Sequence, residues 1–355
     1  MMDVNKNRII AFYLPQFHPI PENDEWWGRG FTEWTNVGKA RPMFRNHYQP
    51  HIPGELGYYD LRLEETRIAQ AKMATEYGVD GFAYWHYWFG GKRILERPFN
   101  EVLYSGKPDF PFCLAWANET WSGIWHGNPG KVLIEQSYPG REDYLRHYEF
   151  ARTAFLDNRY MKVDNCPIFM LYRPNNVPGV ANFINYWNEL AIKDGFNGIH
   201  FIALSNNPDA ETDDLLKKGF SAVGPNRLAN LPSTASFFSK VKRKVLKRPF
   251  IMDYKKASRL FIGELERREE CYPSIIPGWD NSPRSGNRAM ILTDSSPEDF
   301  YEHVKEVLHI NKNKKNKIIL LKSWNEWAEG NYMEPDVKFG RDYLEALQRA
   351  IKEHS

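Results

Sequence analysis

Short apolar segments alternate with segments of helical periodicity along the whole chain. The apolar segments lack polar alternation, which is typical of strands buried on both faces of a parallel sheet. The predicted strands are residues 9–14, 79–85, 112–117, 168–172, 199–204, 220–223, 274–277 and 317–321. The predicted helices are residues 63–77, 142–156, 180–194, 211–218, a segment near 255–270, 297–308 and 341–353.

Eight strands that alternate with helices favour parallel βαβ units. The strand count fits an α/β protein of the (β/α)₈ (TIM) barrel type, with long aromatic-rich βα loops, better than an open doubly wound sheet, which is the alternative. Because such barrels commonly form one unit at this length, residues 1–355 are predicted to be a single catalytic domain. An insert at about 226–252 separates strand six from its helix.

Composition excludes several classes of function. The formal net charge of +2 argues against a dedicated nucleic-acid binder. Cys113, Cys166 and Cys271 are far apart, so neither a disulfide framework nor a metal site is predicted, and no cofactor motif is present. The first apolar run is too short for a signal peptide, and no run approaches 18 apolar residues. We therefore expect a cytoplasmic protein.

A basic segment between Lys240 and Arg248 differs from the rest of the chain. Its simplest interpretation is a solvated surface excursion. The alternative is a patch that contacts an anionic membrane surface or a lipid-linked glycan, which would place the protein peripherally at the inner membrane.

Tryptophan stands beside a carboxylate or histidine in the loops after five predicted strands. Active sites of α/β barrels lie in these loops, at the C-terminal ends of the strands. Aromatic faces with polar groups between them suit the C–H faces and hydroxyls of sugars, and aromatics make up 15% of the chain. The predicted sugar-binding residues are Tyr13, Gln16, His18, Trp34, Trp85, His86, Trp116, Asn118, Glu119, Trp121, Trp279, Asp280, Trp324, Asn325, Trp327 and Glu334.

Glu326 and Glu329 are the predicted catalytic pair, and they follow the last predicted strand. If the chain turns helically there, residues three apart project from one face. Cleavage of a glycosidic bond needs two carboxyl groups in different protonation states. Burial beside Trp324 and Trp327, together with like-charge repulsion, would raise one pKa and create a general acid. The alternative is an ordinary acidic first turn of a helix.

The other polar candidates have structural alternatives as well. Asn118, Glu119 and Asp280 follow strands, but each could equally hold the fold together. His18 and His86 stand at strand ends, where a satisfied structural histidine is at least as common as a sugar ligand. No pair of histidines or carboxylates has the spacing of a metal site, so no metal is predicted.

Two segments resemble the opening of the WbsX-type family: AFYLPQFHP at 11–19 and WGRGFTEW at 27–34. Members are usually described as glycosyltransferases of lipopolysaccharide O-antigen synthesis, and the resemblance extends from about residue 8 to about residue 350. The segments WNEWAEG at 324–330 and MEP at 333–335 resemble the signature of glycoside hydrolase family 99. Those enzymes are (β/α)₈-barrel endo-α-mannosidases.

The family 99 resemblance implies a role for each glutamate. Glu326 would act as a base on the sugar 2-hydroxyl, which attacks the anomeric carbon and gives an epoxide-like intermediate. Glu329 would be the general acid and then the base. Family 99 commonly has histidine where this chain has Ala328, which puts the carry-over of mannosidase specificity in doubt.

Three functions follow from these observations. The first is a retaining glycosidase or transglycosidase that acts on an α-linked bond of a bacterial surface polysaccharide. The second is a glycosyltransferase of O-antigen or lipopolysaccharide biosynthesis that uses an activated sugar donor, although no nucleotide-binding or Asp-x-Asp motif is present. The third is a non-catalytic glycan-binding barrel, which would have no use for the glutamate pair.

Overall fold

Eight parallel strands form a barrel in the computed structural model, which describes residues 6–122, 132–234 and 248–354. Each strand is buried almost throughout, in agreement with the predicted two-sided burial. The strands are β1 (Arg8–Tyr13), β2 (Gly81–His86), β3 (Phe112–Trp116), β4 (Cys166–Leu171), β5 (His200–Ser205), β6 (Ala222–Pro225), β7 (Ser274–Ile275) and β8 (Ile318–Leu321).

The strand order around the barrel is β6-β5-β4-β3-β2-β1-β8-β7. β1 pairs with β2 on one side and with β8 on the other, which brings the first and last strands together. The gap between β6 and β7 is spanned by one bridge, in which Val223 N donates to Glu270 O at 2.7 Å and Tyr272 N donates to Val223 O at 2.9 Å. The predicted barrel is confirmed, and the open sheet is wrong.

Helices surround the barrel. They are α1 (Pro21–Trp27), α2 (Glu33–Lys39), α3 (Glu64–Glu76), α4 (Arg97–Ser105), α5 (Arg141–Phe155), α6 (Val180–Lys193), α7 (Pro208–Lys217), α8 (Tyr254–Ser258), α9 (Ser282–Ser285), α10 (Pro297–Asn311) and α11 (Asp342–His354). The start of α10 has a local cause: Ser296 accepts a hydrogen bond from Asp299 N at 3.1 Å, and Pro297 needs no donor at the first helical position.

Four of these helices were not predicted, and one predicted helix was wrong. The unpredicted helices have only four to nine residues each: α1, α2, α4, which begins with an Arg-Pro pair, and α9. The segment near 255–270 is not one helix but the short α8, a loop, and a 3₁₀ turn at Leu265–Arg267. That loop is held by Glu266, which accepts from Gly263 N at 2.7 Å and pairs with Arg227, so a tertiary ion pair overrides local propensity.

A second small sheet, also not predicted, braces the loop after β7. Phe250–Asp253 pairs in parallel with Met290–Thr293. Its side chains pack with Tyr254 and Phe261 in a core of their own, next to the barrel. Because Met290–Thr293 directly follows residues 276–289, and Leu292 N donates to Trp279 O at 2.7 Å, the sheet anchors the far end of that loop.

The chain offers no helix, within the three described stretches, that has the length and apolar character needed to cross a membrane. The basic segment between Lys240 and Arg248 lies outside the described residues except for Arg248 itself, which is exposed.

Candidate active site

Glu326 and Glu329, called the glutamate pair below, lie in a tight turn directly after β8. The expected helical turn is a single 3₁₀ turn, Trp327–Glu329, which ends at Gly330. Gly330 has φ +59, and a Cβ there would lie 3.0 Å from the backbone nitrogen of Asp280, so the turn requires glycine. A turn this short places both carboxylates on the same side of the chain.

Arg284 bridges the glutamate pair from the loop after β7. Its Nη1 donates to Glu326 Oε1 at 3.2 Å and to Glu329 Oε1 at 2.7 Å. The two oxygens can therefore be no farther apart than the sum of these distances, 5.9 Å. The side chains of the pair are 12% and 14% exposed, so they are nearly buried yet open to the barrel mouth.

A third carboxylate, from Glu33 at the start of α2, completes the cluster. Arg284 Nη2 donates to Glu33 Oε1, and the same oxygen accepts the N–H of Ala328 at 3.2 Å. Glu33 is fully buried. Because Gln16 O accepts the N–H of Glu33 at 2.9 Å, the loop after β1 sets where α2 begins.

The charges in this cluster do not balance without a proton. Burial, and next the charge of Glu329, raise the pKa of Glu326 to about 8, although Arg284 opposes the shift. Lys322 is the second cation nearby, and burial lowers its pKa. The cluster has three carboxylates and two cations, so it carries one net negative charge when all are ionised. One proton on the glutamate pair neutralises that charge. At neutral pH the pair therefore holds one proton, as acid catalysis requires.

Partly exposed aromatic rings surround the glutamate pair. Trp85 stacks on Phe12 with ring centroids 4.8 Å apart and meets Tyr172 edge-on at 5.5 Å. Trp121 lies edge-on to Tyr87 at 5.1 Å. Burial raises the pKa of both tyrosines, and the charges of the glutamate pair contribute to the shifts, which shows that these hydroxyls lie near the pair.

Several predicted sugar-binding residues face away from the mouth. Tyr13 points outward and donates to Gln70 Oε1 on α3 at 2.6 Å. His86 shares a hydrogen bond with buried His147 at 2.9 Å between the Nε2 atoms, and burial lowers its pKa. Trp116 is buried and donates to Trp88 O at 3.2 Å. Their interpretation as sugar ligands is corrected to packing between the barrel and its helices.

Other predicted ligands fix the loops of the site. Asn325 exchanges two hydrogen bonds with the backbone of Leu14, at 2.8 and 3.0 Å, and so ties the loop after β8 to the end of β1. Asn118 does the same for the loop after β4, where it accepts Arg173 N and donates to Arg173 O, both at 2.8 Å. Trp324 is fully buried against Phe82. These side chains shape the mouth without reaching it.

Glu334 lies beneath the site instead of lining it. It accepts hydrogen bonds from Trp327 Nε1 at 2.7 Å, Gln70 Nε2 at 2.6 Å and Tyr59 OH at 2.7 Å. Burial raises its pKa to about 7. Trp34 packs on the same Trp327 ring at 5.5 Å and donates to Tyr59 O, so the indoles at 34 and 327 serve as supports for the turn.

Replacing Glu334 with alanine should lower the free energy of unfolding by about 3 kcal/mol or more, because three buried donors lose their acceptor. Urea denaturation measures this. Glu345→Ala, at an exposed position of α11, is the control and should change stability by less than about 0.5 kcal/mol. Equal losses in both variants would contradict the supporting role of Glu334.

Five predicted residues remain, and one of them, Gln16, is partly exposed after β1. His18 Nδ1 donates to Pro15 O at 3.0 Å, and burial lowers its pKa to about 4, so it is neutral. Asp280 accepts from His47 and Gln49, both at 2.7 Å, and is fully occupied by these donors and Ser282 N. Glu119 is partly exposed and pairs with Arg173 at 2.9 Å. Trp279 is partly exposed, and Lys322 Nζ lies 5.5 Å from the centroid of its ring.

Within the parts of the chain that the structure describes, no group of three or more histidine, cysteine or acidic side chains is arranged to hold a metal ion. The residues that the sequence did not reveal are Arg284, Glu33 and Lys322 as charge partners and Tyr87 and Tyr172 as neighbours of the pair. The sequence indicates them only by their position, since each of them follows a barrel strand or lies in the long loop after β1.

Two comparisons with known sequences identify relatives. The model of the family described as Glycosyltransferase WbsX matches residues 9–347. The protein WxcX from two strains of Xanthomonas campestris pv. campestris, ATCC 33913 and B100, is 34% identical over 352 residues, which is 97% of this chain and 49% of the relative. The chain thus spans about half the length of the curated relatives it matches.

Comparison with solved structures identifies proteins of the same fold. The GH99 endo-α-mannosidase of Bacteroides thetaiotaomicron superposes with a TM-score of 0.58 at 15% identity and covers 100% of this chain and 98% of its own. A glycoside hydrolase-like protein superposes with a TM-score of 0.59 at 14% identity, with 99% and 96% covered. The chain therefore belongs to the WbsX glycosyltransferase family, and its barrel has the fold of the GH99 endo-α-mannosidases.

Proposed function

We propose that this protein cleaves or transfers an α-glycosidic bond in a bacterial surface polysaccharide by glycosidase-like chemistry that retains anomeric configuration. One observation carries the proposal: two nearly buried glutamates share a single guanidinium nitrogen, and the pKa of one of them is raised to about 8. Such a pair supplies a proton donor and an anion in one place near neutral pH.

The spacing of the pair supports retention. Carboxyl groups of retaining enzymes are about 5–5.5 Å apart, whereas inverting enzymes need about 6.5–9.5 Å to admit a water molecule. The upper limit of 5.9 Å between the Arg284-bound oxygens lies below the range of inverting enzymes. An acceptor, whether water or a second sugar, would then enter only after the first step has released the leaving group.

The resemblance to family 99 assigns Glu326 as the base and Glu329 as the acid. The pKa of Glu326 is the raised one, and Arg284 lies closer to Glu329 than to Glu326. Because the two groups titrate together, the proton belongs to the pair. A sugar that displaces Arg284 from Glu329 would remove its nearest cation and move the shared proton to Glu329, where the leaving oxygen needs it.

The pH–rate profile should lose activity on its alkaline side. Since the acid must be protonated, and the raised pKa keeps the proton on the pair up to about pH 8, kcat/KM is expected to fall tenfold per pH unit above that value. Initial rates between pH 5 and pH 10 on a cleaved glycan measure the profile. An alkaline limb centred near the ordinary carboxyl pKa of about 4.3 would contradict a shared proton.

The second candidate is a glycosyltransferase that uses an activated sugar donor, which the family membership favours. Purified protein is incubated with α-linked mannosides and rhamnosides, with and without nucleotide sugars, and products are followed by NMR. Product without a nucleotide sugar, with retained anomeric configuration, supports the glycosidase proposal. Product only with a nucleotide sugar supports the transferase, and glycan binding without product in either arm would leave a non-catalytic barrel.

A further inference from the structure

A cavity of about 630 Å³ lies beside the glutamate pair but is not lined by it. It is lined by the loops after β7 and β8, by the small sheet, and by the segment between α2 and α3. Its volume falls within the range of small-molecule sites, about 300–1,000 Å³. Nothing in the roles assigned above uses this space.

One layer of backbone separates the cavity from the pair. Asp280 lines the cavity, and its N–H donates to Glu329 O at 2.7 Å. Gly278 and Gly330 also line it, and a Cβ on Gly278 would lie 3.1 Å from Gly330 O. The two close-packed glycines keep this wall thin, so a ligand in the cavity would sit next to the turn that carries Glu329.

The lining combines aromatic rings with hydroxyl-binding groups. Phe44, Tyr48, Trp279 and Tyr332 supply rings, and the consecutive residues Thr293, Asp294 and Ser295 supply polar side chains. Rings beside a carboxylate and hydroxyls match the C–H faces and hydroxyls of a sugar.

Asp294 is the acidic residue of the lining that has its carboxylate free. Asp280 is occupied by His47, Gln49 and Ser282, and Asp336 by Tyr332 at 2.7 Å and by Phe339 N. The Asp294 side chain is exposed and has no partner among the described residues. Its backbone adopts φ +58, which few side chains tolerate, at the point where it faces the cavity.

The charge of the lining selects against an anionic ligand. Arg45 and Lys338 are outnumbered by three aspartates, Asp280, Asp294 and Asp336. Lys338 is also held over the Tyr48 ring, with its Nζ 4.6 Å from the centroid. A neutral ligand that presents hydroxyls fits this balance better than a phosphate or a uronic acid.

We infer that this cavity is a second carbohydrate site, which holds one neutral hexose unit of the glycan away from the linkage that the glutamate pair attacks. The link to that glycan rests on the proposed function, but sugar binding in the cavity does not. Holding a remote unit would contribute affinity for long glycans without touching the reacting atoms.

Binding is measured by saturation-transfer NMR and calorimetry with α-linked dimannoside, dirhamnoside and diglucoside. Asp294→Gly removes the carboxylate while glycine suits φ +58, so the fold is preserved. Asp164→Gly is the matched control, because Asp164 also has positive φ (+48) but lies at the opposite end of the barrel, before β4. Tyr48→Ala tests the aromatic face independently.

At least a tenfold loss of affinity for one of these disaccharides in both Asp294→Gly and Tyr48→Ala, with none in Asp164→Gly, is expected. Binding should persist in the Glu326→Gln/Glu329→Gln double variant, since neither glutamate lines the cavity. Equal affinity in Asp294→Gly and Asp164→Gly, or no binding of any of the three sugars by the wild-type protein, would overturn the inference. Failure of the proposed function shows separately, as an absence of turnover with binding intact.

Discussion

Replacing Glu329 with glutamine is expected to lower turnover of an α-linked glycan by about 100- to 10,000-fold, the range that general acid–base catalysis contributes. Glutamine keeps the shape and the oxygen that faces Arg284 Nη1, but it cannot deliver a proton to the leaving oxygen. Glycan affinity should change little, because we expect the partly exposed rings of Trp85 and Trp121 to supply most of the contact with the sugar. Initial rates and calorimetric titration separate the two effects.

The leaving group distinguishes the roles of the two glutamates. A glycosyl fluoride needs little protonation to depart, so Glu329→Gln should recover most of its rate on such a substrate, whereas Glu326→Gln should not. Glu119→Gln is the control, since Glu119 is partly exposed at the rim and pairs with Arg173. If Glu326→Gln is the variant that recovers, the two roles are exchanged. If Glu329→Gln turns over the glycan like the control, the pair is not the reacting group.

Replacing Arg284 with methionine is expected to reduce turnover at pH 7 at least tenfold and to destabilise the protein by about 3–5 kcal/mol at alkaline pH. The guanidinium contacts Glu33, Glu326 and Glu329, so its loss leaves three crowded carboxylates without their shared cation. The pKa of Glu326 should rise further, which moves the alkaline limb of the pH–rate profile to higher pH.

The sign of the stability change with pH follows from the raised pKa. A carboxyl group whose pKa is raised in the folded protein costs no stability below its ordinary pKa, and it destabilises the fold increasingly as pH rises toward the raised value. The variant should therefore approach wild-type stability near pH 5, where protons replace the cation, and lose most at pH 8. Urea denaturation at both values measures this. Arg173→Met, which breaks a partly exposed pair, is the control and should cost less than about 1 kcal/mol. If the loss of unfolding free energy in Arg284→Met does not vary with pH, the coupling between Arg284 and the three carboxylates is contradicted.

The barrel strands could be predicted because burial on both faces produces continuous apolar runs. The predicted second strand, residues 79–85, became Gly81–His86, a small shift at each end. The elements that escaped prediction lack such a signal. α4 is short, and Phe250–Asp253 with Met290–Thr293 forms a sheet whose partners meet only through tertiary contact.

The direction of the side chains at the end of β1 could not be predicted from the sequence either. Neighbouring residues of a strand face opposite sides of the sheet. If the predicted position is wrong by one residue, a side chain assigned to the barrel interior lies instead against the surrounding helices. Tyr13 was predicted to bind sugar, yet it reaches Gln70 on α3, whereas Phe12 stacks under Trp85 inside the barrel. Periodicity does not tell which of two apolar neighbours faces inward.

The glutamate pair could be predicted because its two members are three residues apart after the last strand. Their charge partners could not. Arg284 and Glu33 are 251 positions apart in the chain and meet only because the loops after β1 and β7 converge at the barrel mouth. The raised pKa of Glu326 depends on that convergence, since it reflects burial and the balance of charges from three separate segments.

The most direct test of a shared proton is a titration of the carboxyl groups themselves. With ¹³C-carboxyl-labelled glutamate, NMR between pH 5 and pH 10 should show one signal that titrates near pH 8 and is absent from the spectrum of Glu326→Gln, beside the signal of Glu334 near pH 7, which both proteins keep. If no signal titrates near pH 8 in the wild-type protein, or if the signal near pH 8 persists in Glu326→Gln, the pair carries no extra proton at neutral pH and the proposed chemistry is contradicted.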